Sequence, residues 1–180
     1  ACMHWGEEYQ SLPNREQREL ADWLLEQGVT HIIGSHPHVI QPMELREEGN
    51  RQHAVVYSLG NFISNMSAAN TDGGLIFTLQ LEKYPLPSPI HPLQGRLSYS
   101  PLPDSFIPSF PFSRVAQCGY TLVWTARPTL TGGKNYILYP SYSPIDQLPQ
   151  AARNRLNIFT KNSREFLFKH NTGAVSYTHL

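Results

Sequence analysis

The hydrophobic and polar positions near the start of the chain follow the 3.6-residue repeat of an amphipathic helix. Over residues 14–28, apolar residues recur at helical spacing and charged residues occupy the opposite side. Asn14 is a favoured N-cap, Gln17 stands where a capping-box side chain reaches back, and Gly28 suits a left-handed C-terminal turn. The pattern therefore predicts a well-capped helix over residues 14–28.

A short β-branched segment follows this helix directly. Residues 29–33 (VTHII) predict a buried strand that ends at Gly34. A helix that leads into such a strand is half of an α/β unit. Alternating apolar positions and turn composition predict further strands at 41–46, 53–59, 74–81, 120–126 and 136–139, and looser helical spacing predicts a second helix over 151–168.

Proline is concentrated in one stretch, where eight of the fifteen prolines lie between Pro85 and Pro111. This density excludes a regular helix or a central strand and predicts an extended surface excursion. We therefore predict an α/β part at 1–82 and a less regular extension at 83–173, in which β-rich and helical segments accompany the excursion. Residues 174–180 (AVSYTHL) look like translated adapter sequence, and we expect them not to be native.

Composition and charge argue against two kinds of partner. The 14 Lys and Arg residues balance the 14 Asp and Glu residues, so no basic surface for nucleic acid is indicated. No apolar stretch approaches the roughly 18 residues that a membrane helix needs.

The chain starts at Ala1 without Met, and we expect it to be a piece of a longer protein, cut before Met3.

Two histidines on either side of a proline are the first candidates for chemistry. Pro37 biases His36 toward extended backbone, in which residues i and i+2 project to the same face. His36 and His38 should then present two imidazoles just beyond a buried strand, at the edge where α/β sheets place their sites. One interpretation is a pair of ligands for a divalent metal. The other is two loop histidines that touch solvent or backbone.

His4 is a third candidate, because the predicted helix can serve as a crossover between two parallel strands. Such a crossover brings both strand ends to one edge, so His4 is predicted to lie near His36 and His38. Taken alone, His4 is better explained as a hydrogen-bonded histidine beside a packed Trp5.

The remaining polar candidates have simpler explanations. Asn61 follows another predicted strand and can orient a substrate oxygen, although turn chemistry explains Gly60-Asn61 equally well. His31 is expected to be a hydrogen-bonded core residue. Four further histidines lack any partner pattern and are expected to face solvent: His53, His91, His170 and His179.

Three blocks of sequence together resemble a known family. They are residues 4–9 (HWGEEY), 33–41 (IGSHPHVIQ) and 56–63 (VYSLGNFI). In this order they resemble the bacterial capsule-synthesis family, the CapA or poly-γ-glutamate biosynthesis proteins. The resemblance covers residues 3–64 and fades by about residue 82.

The resemblance implies an α/β fold, namely the C-terminal part of a β-sandwich flanked by helices, as in calcineurin-like metallophosphoesterases. In that fold, metal ligands include a lone His and a terminal Gly-His-x-His motif. His4 resembles the lone His, and residues 34–38 (GSHPH) resemble the terminal motif with Ser35 inserted. The implied ligands are therefore His4, His36 and His38. They would hold manganese, zinc or iron in a dinuclear site that residues upstream of this chain complete.

The same resemblance implies a role in producing an anionic polymer of the bacterial cell envelope, outside the cytoplasm. One hypothesis is a metal-dependent hydrolase that acts on the polymer or on a phosphoester, with Asn61 orienting the substrate. The alternative is a non-catalytic accessory protein that binds the polymer or components of its synthase.

Overall fold

The N-terminal part of the chain forms a mixed four-stranded sheet. In the computed structural model, which describes residues 1–49, 51–83 and 113–177, its strands are β1 (Cys2–His4), β2 (Ile32–Ser35), β3 (Met43–Glu48) and β4 (Arg51–Val56). Their spatial order is β1-β2-β4-β3, with β1, β2 and β4 parallel and β3 antiparallel to β4. The carboxyl ends of the three parallel strands therefore share one edge of the sheet.

Helix α1 (Arg15–Glu26) connects β1 to β2 and confirms the predicted crossover. Its capping box forms as predicted, because the Asn14 side chain accepts from the Gln17 amide and Gln17 Oε1 accepts from the Asn14 amide. Gly28 follows with φ 95°, and the amides of Gly28 and Val29 donate to the last turn of the helix. Val29, the first residue of the predicted strand, thus belongs to the end of the helix, and β2 begins only at Ile32.

A second sheet contains β5 (Gly73–Lys83), β6 (Ser113–Ala126), β7 (Ile137–Pro140) and β8 (Ser176–Tyr177). Strand β6 pairs with the other three, antiparallel to β5 and β7 and parallel to β8. The short helix α2 (Pro128–Thr131) and the long helix α3 (Gln150–His170) complete the described elements. Strands β5 and β6 and helix α3 confirm the predicted segments with longer bounds, and β7 confirms the segment at 136–139 with a shift of one residue, whereas β8 was not predicted. The predicted proline excursion lies outside the described residues.

The main hydrophobic core joins both sheets to α3. Its fully buried members come from β3 and β4, from the second sheet and from α3; they include Met43, Val56, Leu122, Trp124, Leu156 and Leu167. A separate cluster lies between the first sheet and α1, around Trp5, Ala21, Ile32, Val55 and Tyr57. The first sheet is therefore covered on both faces, as expected for parallel strands. No helix within the described ranges is long and apolar enough to cross a membrane.

His31 lies just before β2, and His53 lies near it on the neighbouring strand β4. His31 is half-buried, and its Nδ1 accepts from the Ala54 amide at 3.1 Å; burial, followed by the nearby His53, lowers the pKa of His31. His53 is only 4% exposed, and its Nδ1 lies 3.1 Å from Thr30 O. The prediction that His53 faces solvent is wrong, because its ring packs against the chain just before β2 and is covered there.

The two cysteines should differ strongly in reactivity. Cys118 packs with Leu45, Ala54 and Val115, and burial raises the pKa of its thiol from 9.0 to about 11, whereas Cys2 is exposed. Folding favours the protonated Cys118 thiol, and this contribution is lost as the pH rises through about 11. At pH 8 we expect iodoacetamide to modify Cys118 at least about 100-fold more slowly than Cys2, by mass spectrometry. Equal rates in the folded chain would contradict this; in denaturant the rates should converge.

Candidate metal centre

The carboxyl ends of β1 and β2 bring the first two candidate histidines together. His4 is the last residue of β1 and pairs with Ser35, and the Trp5 amide donates to Ser35 O at 3.2 Å. His36 follows Ser35 directly, so its ring lies beside His4, with centroids 4.5 Å apart. Residues that are 32 positions apart in the sequence thus meet because the strands pair in parallel.

Two close backbone contacts hold this edge in place. Gly34 lies where a side-chain Cβ would be 2.2 Å from Tyr57 O and 2.4 Å from Trp5 Nε1. The Trp5 indole N–H donates to the same Tyr57 oxygen at 2.8 Å, and Leu59 N donates to Gly34 O at 3.2 Å. Glycine at 34 therefore lets β1, β2 and the chain after β4 converge at the base of the histidine cluster.

His38 joins the cluster through a turn. Its ring centroid lies 6.2 Å from that of His36. The prediction of extended backbone is wrong: φ is 103° at His36 and 59° at His38. The chain turns sharply after β2, and the Tyr9 amide fixes this turn by donating to Pro37 O at 2.8 Å.

The backbone around these histidines is unusual for residues with side chains. In the described part of the chain, four non-glycine residues have positive φ, and three of them are Tyr9, His36 and His38. Such conformations cost about 1–3 kcal/mol each and persist only where the surroundings enforce them. They cluster at functional sites, so this concentration marks the histidine loop as a candidate site on backbone evidence alone.

Residues of the 6–13 loop cover one side of His38. The Tyr9 ring stacks on the His38 ring with centroids 6.3 Å apart, and a Glu8 carboxylate oxygen lies 3.8 Å from His38 Nε2. Desolvation raises the pKa of Tyr9, as does its hydrogen bond with Glu8. Glu8 therefore places an anionic oxygen next to the imidazoles. It is a further candidate ligand, supplied by the HWGEEY block itself.

A buried amide pair anchors the same loop to α1 and to the chain after His38. Gln17 and Gln41 are at most 1% exposed, and Gln17 Nε2 donates to Gln41 Oε1 at 2.8 Å. Gln41 Nε2 in turn donates to Gln10 O at 2.9 Å. The sequence pattern predicted a capping role for Gln17 and no contact for Gln41. Nothing in the pattern shows that two distant glutamines pair.

Asn61 lies directly behind His38. Its Oδ1 is 3.3 Å from His38 Nδ1, and its Nδ2 donates to Thr71 O at 3.0 Å. Asn61 is 6% exposed, and its backbone amide donates to Gly73 O at 2.9 Å. Asn61 therefore reaches the site, where its side chain contacts a candidate ligand.

The donor chemistry of the cluster suits a divalent metal, but its side chains do not surround one ion position as they stand. Two imidazoles that share an ion at about 2.0–2.1 Å have ring centroids about 4.5–5.5 Å apart. The pair His4 and His36 lies within this range, and the pair His36 and His38 is somewhat wider. Within residues 1–49, 51–83 and 113–177, no three His, Cys, Asp or Glu side chains are close enough together to hold an ion as they stand.

The sequence that forms this edge of the sheet is similar to that of a known family. Residues 1–66 match the family model described as bacterial capsule synthesis protein PGA_cap. The matched range contains the whole histidine cluster, its supporting loop and Asn61, and it confirms the resemblance carried by the three sequence blocks.

Two curated proteins are also similar to part of the chain. The chain is 36% identical over 80 residues to the PGA biosynthesis protein CapA of Bacillus subtilis (strain 168), which covers 44% of this chain and 20% of that protein. It is 38% identical over 74 residues to the capsule biosynthesis protein CapA of Bacillus anthracis, covering 41% and 17%. The chain thus spans about a fifth or less of these relatives. No solved structure matches it significantly.

Proposed function

We propose that this chain belongs to the machinery that makes a bacterial capsule polymer of the poly-γ-glutamate type, and that His4, His36 and His38 are the histidine part of a divalent-metal site. The observation that carries the proposal is the convergence of these three rings at one sheet edge. The family of residues 1–66 and the names of the two CapA relatives support the polymer.

The site would be completed by ligands from outside this chain, on a metallophosphoesterase-like β-sandwich of which the two sheets form the C-terminal part. Three imidazoles suit manganese, zinc or iron, but hold a dinuclear pair poorly without further carboxylates. When bound, the metals would activate a water molecule and stabilise charge on a phosphoryl or related centre. This chain would supply the three histidine ligands and hold them in position, with the Glu8 carboxylate beside them.

Zinc binding by the chain tests the ligand assignment. We expect the chain to bind Zn²⁺ weakly or at a single site, and the double variant His36→Ala/His38→Ala to lower the affinity by more than about 100-fold, measured by calorimetric titration. His170→Ala is the matched control, because His170 lies on α3 against Phe166 and should leave binding unchanged. Unchanged affinity in the double variant would refute the assignment.

The same double substitution in the full-length protein separates the hydrolase from an accessory role. A hydrolase should lose bound metal, hydrolysis of a phosphoester such as p-nitrophenyl phosphate, and polymer yield together. If metal is lost while polymer production persists, the accessory role is the better description. The upstream ligands can be tested in the same protein, since it should bind metal more tightly than this chain does.

A further inference from the structure

We propose that Asn61 is a positioning residue that holds the His38 ring in its Nδ1–H tautomer and so leaves the Nε2 lone pair free to act as a ligand. Contacts within the chain determine the tautomer. Its consequence for metal binding rests on the proposed function. From the sequence, Asn61 was expected either to orient a substrate oxygen or to serve a turn; in the structure its side chain contacts a candidate ligand instead.

The orientation of the Asn61 amide follows from its second contact. Asn61 Nδ2 lies 3.0 Å from the carbonyl oxygen of Thr71, which only accepts hydrogen bonds. Rotating the amide by 180° would turn its oxygen toward that carbonyl oxygen, and at 6% exposure water cannot readily replace the lost bond. The amide oxygen must therefore be the atom that faces His38.

The orientation of the amide determines the tautomer of the ring. Because Asn61 Oδ1 only accepts, the 3.3 Å contact with His38 Nδ1 is a hydrogen bond when Nδ1 carries the proton. In the neutral imidazole the other nitrogen then has a lone pair. That nitrogen, Nε2, lies on the Glu8 side of the ring, 3.8 Å from the carboxylate. Metal-bound histidines are commonly oriented in this way through their second nitrogen.

The backbone that carries Asn61 is held too firmly for the amide to move away. Gly60 has φ 81°, and a Cβ at Gly74 would lie 2.7 Å from Leu59 O, so the chain after β4 lies tightly against the start of β5. Asn61 N donates to Gly73 O, and Leu75 N donates to Leu59 O, both at 2.9 Å. These bonds fix Asn61 to the second sheet while its side chain contacts a ligand candidate of the first.

The tautomer can be measured directly in the metal-free chain. Long-range ¹H–¹⁵N spectra at pH 8 report which ring nitrogen carries the proton, and the His38→Gln spectrum assigns the signals. We expect Nδ1 of His38 to be protonated in the unsubstituted chain, and Asn61→Leu to move the proton largely to Nε2. Protonation at Nε2 in the unsubstituted chain overturns the proposal, and this outcome does not depend on how Asn61→Leu folds.

Zn²⁺ titration tests the consequence. Asn61→Leu should weaken binding about 10–100-fold. Asn65→Leu, at an exposed asparagine of the same loop, is the matched control and should bind as the unsubstituted chain does. Weakening by Asn65→Leu equal to that by Asn61→Leu counts against the positioning role. An Nδ1–H signal without any Zn²⁺ binding would instead refute the proposed metal site and leave the tautomer standing.

Discussion

Gly34→Ala should lower the free energy of unfolding of the chain by about 3 kcal/mol or more. The added methyl group would lie 2.2 Å from Tyr57 O and 2.4 Å from Trp5 Nε1, in the space where these two atoms form a hydrogen bond. The Tyr57 oxygen belongs to the backbone, so relief requires the chain after β4 to move away from β2. Because that movement also displaces His36, we expect the same variant to lose Zn²⁺ binding.

Urea unfolding followed by circular dichroism measures this change, and Gly133→Ala is the matched control. Gly133 has ordinary φ, and a Cβ there would meet only Thr131 Oγ1, at 3.5 Å. The control should change stability by less than about 0.5 kcal/mol. A Gly34→Ala variant as stable as Gly133→Ala would show that β2 and the chain after β4 do not approach this closely.

Trp124→Ala should destabilise the chain by about 3–5 kcal/mol, because it empties the centre of the main core. Trp124 is fully buried, and its indole N–H donates to Asp72 Oδ2 at 3.1 Å. The same oxygen accepts from Arg155 at 2.6 Å, so the indole also helps to hold α3 on the second sheet. Trp124→Phe retains most of the volume and should cost about 2 kcal/mol, chiefly for the lost hydrogen bond to a carboxylate.

Trp23→Ala provides the comparison on the surface. Trp23 is 54% exposed on α1, so its removal should change the free energy of unfolding by less than about 0.5 kcal/mol. In denaturant titrations, the free energy of unfolding should therefore be lowest for Trp124→Ala, higher for Trp124→Phe and highest for Trp23→Ala. If Trp124→Ala and Trp23→Ala are equally stable, the described core is wrong.

Several elements of the fold were predictable because their causes are local. The Asn14 and Gln17 cap, the helix that follows and the glycine that ends it depend on neighbouring residues, and α1 forms as predicted. The β-branched segment after it predicted a strand, but its start was three residues early. The Val29 amide donates to the C-terminal turn of the helix, so Val29 is not part of the strand. Whether such a residue ends a helix or starts a strand depends on how the whole sheet pairs.

The candidate site was predictable in its members and less so in its geometry. A helix of crossover length correctly implied that His4 and His36 lie at neighbouring strand ends. The local rule for the residue before proline failed at His36, because the contact between Tyr9 and Pro37 imposes a turn that the dipeptide does not favour. Glu8 was visible only as a carboxylate near His4, and its proximity to His38 depends on how the loop folds back.

By itself the sequence predicted the helix and most strands of the described residues, the similarity of residues 1–66 to capsule-synthesis proteins and the three histidines that lie together at one sheet edge. These follow from local periodicity, capping chemistry and contiguous motifs. Only the tertiary structure decided which ring nitrogen of His38 faces Asn61, that Gln17 and Gln41 pair, and that His53 is buried. Each of these depends on contacts between residues more than 20 positions apart. Such contacts are set by strand register and by packing across the sheet, and neither leaves a periodic pattern in the chain.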